Sequence, residues 1–130
     1  MIDLNIVSII VIAFFSYLLG SVSFAIVIGK YFYGKDVRLH GSKNPGATNV
    51  FRVLGKTAGI IVLLLDMLKG FLASISVYLF FDIEAGTNQF INLQILFGLC
   101  AVLGHLFPVF FKFKGGKGVA TLTGMVLAIA

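Results

Sequence analysis

Residues 6–28 read IVSIIVIAFFSYLLGSVSFAIVI, a run without a single charged side chain. A helix needs about 20 residues to cross the hydrocarbon core of a bilayer, so this run is long enough to be a transmembrane helix. Ser16, Gly20 and Ser23 recur within it at spacings of four and three. That periodicity puts small residues on one helix face, where a neighbouring helix can approach closely. The five residues before the run, Met-Ile-Asp-Leu-Asn, carry an acid and no base. A secretory signal peptide needs a positive n-region, so the first segment is expected to stay attached as a span.

The rest of the chain extends that reading. Of 130 residues 59% are hydrophobic and 12% charged, and mean hydropathy is +1.07; about 25% charged is ordinary for a soluble domain. The expected fold is an all-α, polytopic integral membrane bundle forming a single domain over 1–130. A second span is predicted over 58–81, with Asp66 and Lys69 near its middle. Three residues apart, they share a helix face and can pair away from lipid. A third span is predicted over 90–111, where Pro108 is expected to kink the helix and free an acceptor beside His105. Residues 119–130 begin a fourth apolar segment, but twelve residues make only about 18 Å of helix against a core of about 30 Å. The prediction is therefore three full spans and the start of a fourth, with the chain ending before that span does. The lone Cys100 excludes a disulfide framework and a cysteine metal site.

The ten basic residues are unevenly placed. Six fall between Lys30 and Lys56, none in the 82–88 loop, three between Lys112 and Lys117, and Lys69 lies within a span. The positive-inside rule then puts both basic loops in the cytoplasm and the N-terminus outside.

Both loops are rich in glycine. The first contains GSKNPGATNVFR at 41–52, twelve residues dense in hydrogen-bond donors. Pro45-Gly46 signals a turn, Thr48 is a candidate cap, and a short helix should follow through Leu54 and stop at Gly55. Asn49, Arg52 and Lys56 would share a face of it. The second loop carries Gly115-Gly116-Lys117-Gly118. Glycine backbone, basic side chains and the start of a helix together make a phosphate cradle in each loop. The alternative is a pair of positive-inside loops with turn glycines. Phe111 and Gly118 rule out a Walker A motif, which requires glycine and Ser/Thr there. With Asp36 the single acid on these loops, no carboxylate cluster exists to hold a metal, and no cofactor or nucleic acid partner is expected. His105 is either a general base or a structural histidine. Asp66 and Lys69 are weighted toward a structural pair.

Gly41-Ser42, Asn44-Pro45-Gly46-Ala47-Thr48-Asn49 with Arg52, Asp66 with Leu68-Lys69-Gly70, Gly104-His105 with Pro108, and Phe113-Lys114-Gly115-Gly116-Lys117-Gly118-Val119-Ala120-Thr121 occur in this order. Together they resemble the bacterial acyl-phosphate:glycerol-3-phosphate acyltransferases (PlsY). The resemblance implies an enzyme of the bacterial inner membrane that moves a fatty acyl group from acyl phosphate to the sn-1 hydroxyl of glycerol 3-phosphate, giving lysophosphatidic acid and phosphate. It implies catalytic roles for Ser42 and Arg52, to which the reading of the residues adds His105 as a third candidate, and a glycerol-3-phosphate phosphate site at Gly115, Gly116, Lys117 and Gly118. Asn44, Thr48, Asn49 and Thr121, in the same motifs, are further expected substrate contacts. Two departures stand out. Lys43 occupies a position where glycine is common in the family, and a third cytoplasmic motif with histidine and asparagine, found in longer family members, does not appear in these residues.

Two other classes fit the same loops. One is a transporter or binding protein for an organic phosphate, which would move substrate without changing it. The other is a helical membrane subunit whose basic loops hold anionic lipid headgroups; it would tolerate loss of the Ser42 hydroxyl.

Overall fold

The computed structural model describes all of residues 1–130. Six helices follow one another: α1 (Ile6–Ser21), α2 (Phe24–Tyr33), α3 (Ala47–Leu54), α4 (Lys56–Phe80), α5 (Asn88–Leu106) and α6 (Val119–Ile129), with 3₁₀ turns at Val37–Leu39 and Val109–Phe111. Helix α4 and the stretch Asn88–Phe111 are each long and apolar enough to cross a membrane, the α1/α2 pair makes a third such unit, and α6 is shorter. This is the expected all-α membrane bundle, with one difference in its first span.

That span is not one continuous helix. The backbone leaves helical geometry at Val22 and Ser23, and α2 continues at 40° to α1. The physical reason lies on α4. Lys69 is 1% exposed, and its ammonium donates to the Val22 carbonyl at 2.9 Å while lying 5.7 Å from the centre of the Phe24 ring. In an unbroken helix that carbonyl would be taken by the amide four residues on. The break releases it to receive a buried charge.

The other helix ends are set locally. At the start of α1 the Asn5 side chain accepts from the Ser8 amide at 2.9 Å while the Ser8 hydroxyl accepts from the Asn5 amide at 3.1 Å, a reciprocal cap. Helix α3 begins after Gly46 rather than at a Thr48 cap, and stops at Gly55, which has φ +96. The expected kink at Pro108 is a termination instead. Helix α5 ends at Leu106, two residues before the proline, and the chain re-forms as a 3₁₀ turn. Since the residue before proline is pushed away from helical geometry, stopping relieves the clash as fully as bending would. The Leu106 carbonyl left over accepts from the Gly115 amide at 3.1 Å.

Glycines draw the helices together in two reciprocal seams. A Cβ at Gly20 would run into the Ala101 backbone and one at Gly104 into the Tyr17 carbonyl, fixing α1 against α5. A Cβ at Gly70 would meet the Thr121 carbonyl and one at Gly124 the Met67 carbonyl, fixing α4 against α6. With lipid as solvent, such close backbone approach is a main source of association between helices. At one end of the bundle Ile12, Val77, Phe81, Phe90, Leu93 and Phe97 form a core, and the Ile2 amide ties the N-terminal segment to the Phe80 carbonyl. At the other end Ala25, Ile28, Val37, Val50, Ala58 and Val62 form a second core. It underpins the first basic loop.

Candidate active site between the two basic loops

The first loop hangs from α2 and is pinned before it reaches the site. Asp36 accepts from the Arg38 amide at 3.0 Å and from its guanidinium at 3.0 and 2.8 Å, and Lys30 stands 3.8 Å away. The Arg38 hydrogen bonds hold the Asp36 carboxyl down to about 2, and the same contact raises Arg38. The single acid of the basic loops is therefore committed to an ion pair. Arg38 also lies 5.9 Å from the centre of the Phe111 ring, which bridges to the second loop.

Beyond this pin the chain makes a tight turn through His40–Lys43, closed by the Lys43 amide on the His40 carbonyl at 2.9 Å. Gly41 and Lys43 both take positive φ, +57 and +62. The left-handed backbone at Lys43 accounts for the glycine common at this place in the family resemblance, since a side chain there costs about 1–2 kcal/mol. Ser42 lies between them, exposed, its hydroxyl accepting from the Asn44 amide at 3.4 Å. Asn49 reaches under the turn from α3. It is 1% exposed, accepts from the Ser42 amide at 3.0 Å, and donates to the Val37 and His40 carbonyls at 2.9 and 3.1 Å. Arg52, one turn further along α3, is exposed and makes no ion pair.

The second loop folds back over the end of α5. A Cβ at Gly115 would strike the His105 carbonyl, and one at Gly116 would come within 2.5 Å of His105 Nε2 and 3.1 Å of the Pro45 carbonyl. Gly116 is thus the point where both loops and the imidazole come together. Gly118, at φ +80, starts α6.

Between the loops is a cleft of about 510 Å³. Of the sequence-predicted residues, Ser42, Asn44, Thr48, Asn49, Arg52, His105, Lys117 and Gly118 line it. Gly115 and Gly116 stand behind it as packing against α5, and Thr121 is buried where α6 meets Gly70. The first residues of two helices open into the same space: Gly46, Ala47 and Thr48 from α3, and Gly118, Val119 and Ala120 from α6. Free amides and the positive ends of two helix dipoles, with Arg52 and Lys117, give the cleft a positive lining of the kind that suits anions.

Asp66 also lines the cleft, together with Leu63 and Met67 on the same face of α4. Its Oδ1 is 3.1 Å from Lys69 Nζ and 3.9 Å from His105 Nδ1. The pair expected from sequence is therefore present, and it additionally borders the imidazole. The spacing of three between Asp66 and Lys69 carried the pair, whereas its place beside the imidazole had no mark in the sequence. The α6 contribution of Ala120 and Thr123 had no comparable mark in the sequence.

The family model for glycerol-3-phosphate acyltransferase matches residues 10–130. A glycerol-3-phosphate acyltransferase of Enterococcus faecalis is 53% identical over 120 residues, covering 92% of this chain and 52% of the relative. One of Staphylococcus haemolyticus is 46% identical over 123 residues, covering 93% and 60%. The crystal structure of PlsY (YgiH), an integral membrane glycerol 3-phosphate acyltransferase, in its glycerol 3-phosphate form matches with a TM-score of 0.81 at 48% identity over 95% of this chain and 58% of that one. Its lysophosphatidic acid form matches with a TM-score of 0.78. The chain spans about half the length of the curated relatives it matches. With sequence, bundle and ordered motifs in agreement, the chain belongs to the glycerol-3-phosphate acyltransferase family.

Proposed function

We propose that the protein is an acyltransferase that moves a fatty acyl group from acyl phosphate to the sn-1 hydroxyl of glycerol 3-phosphate, releasing lysophosphatidic acid and inorganic phosphate. The observation that carries this reading is the convergence of two helix N-termini, Arg52 and Lys117 on one cleft that also holds Ser42 and His105. Both substrates are phosphate anions, and a site that brings them together must offset their mutual repulsion. The neighbours' glycerol 3-phosphate and lysophosphatidic acid forms fit the same chemistry.

In the proposed reaction the glycerol oxygen attacks the acyl carbonyl carbon, the bond from that carbon to the phosphate oxygen breaks, and phosphate departs with the bonding pair. The hydroxyl proton goes to the departing phosphate or to His105. The mixed anhydride is already activated, so no metal, cofactor or acyl-enzyme is needed. Arg52 and the α3 amides would hold one phosphate and Lys117 with the α6 amides the other, while Ser42 positions the reacting group. Leu63, Met67 and Val119 supply an apolar wall for the acyl chain.

The test is conversion of glycerol 3-phosphate and palmitoyl phosphate to lysophosphatidic acid by protein expressed from its complete reading frame and held in lipid. Absence of product overturns the proposal, and flux into vesicles without chemical change would replace it with a transporter. Lys117→Ala is expected to raise the KM for glycerol 3-phosphate about tenfold or more with a smaller change in kcat, as loss of one charged hydrogen bond implies. An unchanged KM would remove Lys117 from that phosphate. The proposed setting is the bacterial inner membrane, N-terminus outside and both basic loops cytoplasmic. A reporter inserted after Glu84 should therefore read as external.

A further inference from the structure

Asn49 sits in the cleft wall by its place on α3, yet its amide is spent on the loop backbone. Both Nδ2 protons are committed, to the Val37 and His40 carbonyls at 2.9 and 3.1 Å, and Oδ1 accepts from the Ser42 amide at 3.0 Å. An amide side chain has two donors and one acceptor oxygen, so little capacity is left for substrate. The three partners belong to three successive parts of the loop: the buried 3₁₀ turn, the first residue of the tight turn, and Ser42 itself. No other side chain bonds the Ser42 backbone amide. Gly41 is part of the same device. A Cβ there would run into Asn49 Oδ1, so the turn closes down onto the amide with nothing between them. The Ser42 hydroxyl has a single weak local contact, from the Asn44 amide at 3.4 Å. Its placement therefore comes from the backbone, and the backbone is held by Asn49.

We propose that Asn49 is a positioning residue that sets the Ser42 backbone and so aims its hydroxyl into the cleft, and that it makes no contact with substrate. The inference rests on the acyltransferase reading for its kinetic consequence but not for its structural one. Side chains held by buried amide hydrogen bonds are stiffly placed, and a shift of about 1 Å in a reacting group can cost about 10²-fold in rate.

The test pairs kinetics with thiol chemistry on the protein in lipid. In Asn49→Ala, kcat should fall about tenfold or more while the KM values for both substrates stay within about twofold, because only an interaction used in the transition state is lost. A KM for glycerol 3-phosphate raised about tenfold with kcat unchanged would make Asn49 a substrate ligand and overturn the proposal. Independently of turnover, Ser42→Cys can be alkylated with iodoacetamide, and Cys100, the native cysteine of α5, serves as the internal reference. Adding Asn49→Ala should change the alkylation rate at position 42 by about threefold or more and leave the Cys100 rate alone, as expected for local rather than global opening. Equal changes at both thiols, or none at position 42, would overturn the proposal. Asn49→Asp is the second variant. It keeps the acceptor for Ser42 but sets a carboxylate against two carbonyls, and should give the same pattern. If neither variant folds, Asn49 is a determinant of the fold rather than of Ser42, and the proposal fails. A wild-type protein without acyltransferase activity would overturn the assigned reaction while the thiol rates still decide the role of Asn49.

Discussion

Arg52→Ala is expected to lower turnover by about 10³-fold or more, with bundle stability unchanged. The guanidinium is exposed on α3, lines the cleft, and is not consumed by any acid in the chain, so removing it leaves no buried partner behind. In the proposed reaction what is lost is charge beside a phosphate whose negative charge grows as it leaves, and single donors or arginines in that role contribute about 10²–10⁵-fold. Arg52→Lys should recover only part of the loss, because an ammonium cannot present the flat fork that grips two phosphate oxygens. Ser42→Ala should be comparably inactive. The measurement is the initial rate of lysophosphatidic acid formation at saturating concentrations of both substrates. Full activity of Arg52→Ala under those conditions would mean the residue serves only as a surface cation.

The second large effect is on stability. Asp66→Ala should destabilise the protein by about 3–5 kcal/mol, since it strips the counter-charge from Lys69 and leaves a buried ammonium unpaired. The two groups are each 1% exposed and 3.1 Å apart, and only the Val22 carbonyl and the Phe24 ring, neither of them an anion, are left to hold the cation. In thermal unfolding in detergent this should appear as a fall in Tm of roughly 10 °C or more. Replacing both members, Asp66→Leu with Lys69→Met, should return most of it, because isosteric apolar pairs remove the desolvation cost as well as the attraction. A single variant as stable as the wild type would mean that lysine finds water or lipid headgroups unaided.

These two residues illustrate what the sequence made legible. Charges in the middle of an apolar run are costly alone, and a spacing of three offers one inexpensive solution, so the Asp66–Lys69 pair could be read directly. The clustering of bases likewise foretold that the two glycine-rich loops would lie at one end of the bundle. Other features depended on partners distant in the chain. Residues 21–24 carry no proline or glycine pair to announce a break, and its cause lies forty-seven residues away at Lys69. Asn49 was placed on one face with Arg52 and Lys56, of which Lys56 starts α4 instead, and helical periodicity says nothing about which neighbours will take up an amide. Pro108 was seen as a disturbance of α5, but whether a helix bends or stops depends on who receives its last carbonyls, and here it is Gly115. The glycines of the second loop were read as room for phosphate. At Gly115 and Gly116 the room is taken by α5 and the imidazole, and only Gly118 opens to the cleft.

The hold of Lys69 on the Val22 carbonyl has a mechanical consequence. A broken helix with free carbonyls would be a swivel, whereas one tied across to a neighbouring helix is a locked elbow. Helix α2 is the arm beyond that elbow, and the Ser42 turn is what it carries. The angle at which the first basic loop leaves the bundle is therefore set from the buried interior, by an ammonium that stands outside the cleft lining.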